Sequence, residues 1–102
     1  MSVLTGASVA LAPTASAVGS SACEWSVDRN AVVSSGSANL RTGPSTAYTS
    51  KGMLYKGDTF RAVCMASQGS YNWYYAKLNR KSKSGLASGT TGWIRTDLAS
   101  WA

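Results

Sequence analysis

Thr59-Phe60-Arg61-Ala62-Val63-Cys64-Met65-Ala66 is the stretch whose reading decides the fold. Phe60, Ala62 and Cys64 alternate with Thr59, Arg61 and Val63. A period of two is the mark of a half-buried strand, because successive side chains leave the backbone on opposite faces. The pattern predicts a strand over 59–66 with Cys64 on its core side. Working outward, further strands are expected at 30–33, 38–41, 52–55, 72–78 and 92–96. Ser34-Ser35-Gly36-Ser37, Gly43-Pro44, Lys56-Gly57-Asp58, Gln68-Gly69-Ser70 and Ser88-Gly89 punctuate them. No stretch carries a helical stripe, and no internal repeat is evident. Short strands with Gly-rich turns imply an all-β chain, a small barrel or sandwich of about five to six short antiparallel strands.

The length of 102 residues allows one domain plus a tail. Hydrophobic residues at 44% and charged residues at 14% exclude both a disordered and a membrane-spanning chain. So small a domain buries a modest core and often needs a staple. Ten Lys and Arg against four Asp and Glu give a net charge of +6. That balance suits polyanionic partners, with plain solubility as the evenly weighted alternative.

The chain has no histidine, so Ser-His and Cys-His arrangements cannot form. Two cysteines without histidine cannot close a four-ligand zinc site, and no metal or cofactor is expected. Glu24 and Asp28 are spaced to share a helical face but read as solvated charge. Asp58 belongs to a turn, and Asp97 is placed to cap one. No acid pair suggests a hydrolase, and no motif singles out a Ser-Lys nucleophile. The expectation is a chain that is not an enzyme.

Residues Val3 to Pro13 are small and apolar, and Ala15-Ser16-Ala17 fits a signal-peptidase site. No Lys or Arg precedes the apolar run. Residues 1–17 are therefore read as a truncated secretion signal, the alternative being a low-complexity Ala/Ser tail. Nothing here is long enough to span a bilayer. Cys23 and Cys64 in a small exported domain are expected to pair, the alternative being two unrelated thiols. Such a bridge would stabilise the fold by at most roughly 4 kcal/mol on the chain-entropy estimate.

The succession Ala38-Asn39-Leu40-Arg41-Thr42-Gly43-Pro44-Ser45, Lys56-Gly57-Asp58, Trp73-Tyr74-Tyr75-Ala76-Lys77, Thr91-Gly92-Trp93-Ile94 and Asp97-Leu98 resembles the bacterial SH3 domains over about Ser37 to Ser100. The resemblance implies an SH3-like barrel over 37–102, preceded by an extension over 18–36 that carries Cys23. It also implies a secreted module that targets the cell wall, the family's common task beside peptidoglycan hydrolases. The residues fit such a barrel. Leu40 should face inward, Pro44 should hold Gly43 extended, and Gly92 should let the backbone come close beside Trp93. The extension, and a longer and more basic segment before Gly92, depart from the family pattern.

Expected ligand contacts are Arg41, Tyr48, Tyr71, Trp73 and Tyr74, with Arg80, Lys81 and Lys83 in a basic, flexible loop over 79–88. Trp93, and one of Trp73 and Tyr75, are assigned to the core. Tyr48, Tyr71 and Tyr74 are assigned to the surface, burial being the equal alternative. Trp25 and Trp101 should seal the barrel's ends. The expected partner is a cell-wall glycan or peptide, or an anionic wall polymer. A second reading is a module that binds another secreted protein through the basic loop and the Cys23 arm. Single-stranded nucleic acid is third, and export disfavours it.

Overall fold

The structure, a computed structural model, describes residues 16–102. The expected secretion signal lies outside the described residues except for Ser16 and Ala17. Seven strands form one antiparallel sheet: β1 (Trp25–Val33), β2 (Ser37–Arg41), β3 (Ser50–Tyr55), β4 (Thr59–Gln68), β5 (Tyr71–Leu78), β6 (Thr91–Arg95) and β7 (Ala99–Trp101). Their order is β3-β2-β6-β5-β4-β1-β7. Single 3₁₀ turns occupy Ser20–Ala22 and Thr96–Leu98. The all-β expectation holds, with two differences. β1 begins five residues earlier than its apolar end suggests, and β7 was not anticipated. Three residues are too few to show a period, and β7 exists because Ala99 and Trp101 pair with Val33 and Ala31.

Leu40, Leu54, Phe60, Ala62, Ala76 and Ile94 are fully enclosed and form the inner core. Burial of each Leu, Ile or Phe contributes about 1.5–3 kcal/mol. Gly92 is required where β6 crosses β2. A Cβ there would stand 2.7 Å from Leu40 Cγ and 2.9 Å from the Arg41 carbonyl oxygen.

A second cluster contains Ala66, Trp73 and Trp93, with Ala22, Cys23 and Tyr75 packed against it. It exists because β4 bulges between Ala62 and Cys64. Ala62 lies opposite Ala76 and faces the inner core, whereas Cys64 lies opposite Tyr75 and Ala66 opposite Trp73. Cross-strand partners share a face, so Val63 is the extra residue that turns Cys64 outward. Cys64 is buried as its period predicts, but on the opposite side of the sheet from Phe60. What buries it is the N-terminal arm, bonded through Cys23–Cys64 with a Cα separation of 5.8 Å.

The segment 79–90 is not a free hairpin tip. Ser82 is buried, and its hydroxyl accepts from the Leu86 amide at 2.9 Å. The Ser84 hydroxyl donates to the Met53 carbonyl at 2.6 Å, and Leu86 packs over Gly52. The buried Asp58 carboxylate accepts the Tyr55 amide at 2.8 Å and the Lys83 amide at 3.0 Å. The expectation of flexibility missed these bonds, because those of Ser84 and Lys83 reach back to Met53 and Asp58, far earlier in the sequence.

Candidate functional site

The outward face of β2, β6 and β5 gathers the cations and rings. Arg41 lies opposite Trp93, Trp93 opposite Tyr75, and Arg95 opposite Trp73. At one end of this row the arm crosses the strands. The Val18 amide donates to the Thr42 carbonyl at 2.9 Å, and the Trp93 indole Nε1–H donates to the Val18 carbonyl at 2.8 Å. The other end is open. A hollow of about 210 Å³ is lined by Asn39, Arg41, Thr46, Met53, Trp73 and Arg95, among others. A second, of about 280 Å³, is lined by Ser45, Thr46, Gln68, Tyr71 and Trp73. Thr46 and Trp73 line both, so the two hollows adjoin, and together they are the trough.

Both guanidinium groups are held in place. The Arg41 Nη1–H donates to the Tyr48 carbonyl at 3.0 Å, which ties β2 to the far side of the first loop. Arg95 grips Asp97 with two bonds, Nε to Oδ1 at 2.7 Å and Nη2 to Oδ2 at 3.1 Å. Its guanidinium lies 4.2 Å from the centroid of the Tyr71 ring. The hydrogen bond to Asp97 raises the Arg95 pKa above its already high ordinary value, so the cation persists at every relevant pH. Each fork keeps donors for a planar anion such as a carboxylate.

Residues 36–100 match the family model of the bacterial SH3 domain. The chain belongs to the bacterial SH3 domain family. No curated protein and no solved structure matches it. The family match begins at Gly36, so the arm and β1 precede the part of the chain that defines the bacterial SH3 domain.

On this bacterial SH3 fold, the trough brings together Arg41, Tyr71 and Trp73 of the expected contacts. It adds Arg95, Asn39 and Thr46, which sequence reasoning missed. Arg95 could have been found from its place two residues after Trp93, since strand alternation puts the two on one face. Tyr48 is half-buried with its ring against Gly43, and contributes its carbonyl to Arg41 rather than its ring to the trough. Tyr74 must be corrected. Its burial between Phe60 and Trp101, at ring-centroid distances of 6.2 and 5.2 Å, follows from its inward parity on β5. Burial raises its phenol pKa, an effect that the nearby Arg29 charge partly opposes.

Arg80, Lys81 and Lys83 line neither hollow. All three are exposed, and Lys83 turns its ammonium to the Lys56 carbonyl. Trp93 is fully buried and Trp73 nearly so, as assigned, while Trp25 and Trp101 remain substantially exposed. The Arg29 guanidinium lies 4.3 Å over the Trp101 ring. Among the described residues, no group of three or more His, Cys, Asp or Glu could hold a metal, and no helix is long and apolar enough to cross a membrane.

Proposed function

We propose that this chain is an exported, non-catalytic module that holds a cell-wall polymer, with peptidoglycan glycan or peptide in the trough. The observation that carries this reading is the pairing of two fixed guanidinium groups, Arg41 and Arg95, with Trp73 and the exposed Tyr71. Wall peptides offer carboxylates to the forks, and sugar rings or peptide planes offer flat surfaces to Tyr71, with Trp73 as the nearly buried floor. The disulfide fits an oxidising compartment outside the cytoplasm. Arg80 and Lys81 add an exposed positive charge that would attract an anionic wall polymer at long range. The protein-partner reading uses the basic loop and the Cys23 arm, and here the arm is engaged on its own domain.

Co-sedimentation with purified, insoluble wall tests the reading. Wild type should pellet, and Tyr71→Ala should lower the affinity at least threefold at both low and high salt. Replacing Arg80 and Lys81 with Ser should weaken binding at low salt only, because exposed charges are screened over roughly 10 Å at 0.1 M. The wall suspension should not clear during incubation. Failure of wild type to pellet, or equal binding by every variant, would overturn the reading.

A further inference from the structure

Trp93 points out of the sheet yet is fully buried, because residues 18–23 lie across it. The arm is held there by its backbone. The Val18 amide reaches the Thr42 carbonyl, the Val18 carbonyl takes the Trp93 indole N–H, and Glu24 donates its amide to the Met65 carbonyl at 2.8 Å. The side chains matter less, for the segment reads Val-Gly-Ser-Ser-Ala and Ser20–Ala22 contains no buried residue. Gly19 passes beside the Tyr75 hydroxyl. The surface beneath is therefore shaped for a small-residue peptide lying across β2, β6 and β5. It adjoins the open trough, since Trp73 packs with Trp93 and also lines both hollows.

We propose that this covered tryptophan face is a second binding site, for a short peptide of small residues, and that Val18–Ala22 is its resident occupant. The Trp93 indole N–H explains the ligand class. Any occupant that covers Trp93 also takes this N–H away from water, and a covered donor left unpaired is costly, so the occupant must bring a carbonyl where the Val18 carbonyl now lies.

Cys23–Cys64 keeps the site closed. Cys23 is half-buried and Cys64 only 5% exposed, so a dithiol reductant outside the cytoplasm would attack Cys23 Sγ. The S–S bond breaks, and Cys64 leaves as a thiolate. The second thiol of the reagent then attacks the mixed disulfide and releases Cys23. Two electrons pass to the cysteines, which take up two protons, and the dithiol ends as a disulfide.

The inference does not rest on the wall-binding reading, and no wall polymer enters its test. The probe is a synthetic peptide of residues 16–22, added to the full chain at millimolar concentration, where an intramolecular arm competes. Hydrogen exchange is followed by NMR at the Trp93 indole, at the Val18 amide, and at Ala62 and Ala76 as core controls. In the oxidised protein the indole should exchange slowly and ignore the peptide. After dithiothreitol treatment, or in the Cys23→Ser/Cys64→Ser variant, exchange at Val18 and the indole should rise at least tenfold. Ala62 and Ala76 should change less than twofold, and the peptide should restore indole protection in a dose-dependent way. Three results would overturn the proposal: unchanged indole protection on reduction, loss of protection at Ala62 and Ala76 as well, or a released indole that the peptide fails to protect.

Discussion

Asp58 shows how much one side chain organises. Among the described residues it is the one buried acid, and it accepts the amides of Tyr55 and Lys83. Bonds to a charged acceptor contribute about 1.5–3 kcal/mol each, so losing both in Asp58→Ala should destabilise the domain by about 3–6 kcal/mol. Urea unfolding would show this as a lower midpoint at unchanged slope. Asp58→Asn should recover part of the loss, since the amide keeps only one oxygen as acceptor. The sequence Lys56-Gly57-Asp58 announces a turn, and a turn is present. It does not announce that the carboxylate also pins a backbone amide 25 residues later. Tyr71 and Tyr74 make the same point. Two aromatics three apart on one strand face opposite ways, and only the packing of Phe60 and Trp101 tells which is covered.

Among the elements, the bulge in β4 limits what periodicity can reveal. Phe60, Ala62, Cys64 and Ala66 keep one parity and are all buried, so the strand is legible from its residues. The face is not, because one extra residue at Val63 reverses it without disturbing the pattern. For the trough, this hid the fact that Trp73, Arg95 and Arg41 share a side. The Gly92-Trp93 pair was legible, and it supports a firm prediction. Gly92→Ala should cost about 1–3 kcal/mol, because the Arg41 carbonyl is backbone and cannot rotate away. A thermal melt would report it. Gly36→Ala is the control: no atom lies within 4 Å of its added Cβ, and its melting point should not fall.

For the molecule as a whole, alkaline stability follows from Tyr74. Its pKa is raised in the folded state by burial, so the folded protein holds the phenol proton more tightly than the unfolded chain. The corresponding stability is present in full below the ordinary phenol value of about 10, and is lost as pH rises through the folded value. Unfolding free energy should therefore decline above about pH 10 in the wild type, and less steeply in Tyr74→Phe. Equal slopes would mean that Tyr74 is not the group responsible.

The two ends of the described chain are stitched together, and this fixes when the molecule can become itself. Val18 waits for a partner 75 residues away, and β1 takes β7 as its neighbour. During synthesis, the earliest residues of the arm emerge long before Trp93 and Trp101. Neither closure can form before those residues have emerged, so the barrel completes late. Contacts so distant in sequence also slow the search for the native state. Until then, the tryptophans and the unpaired edge of β1 lie open to any chaperone that meets the chain.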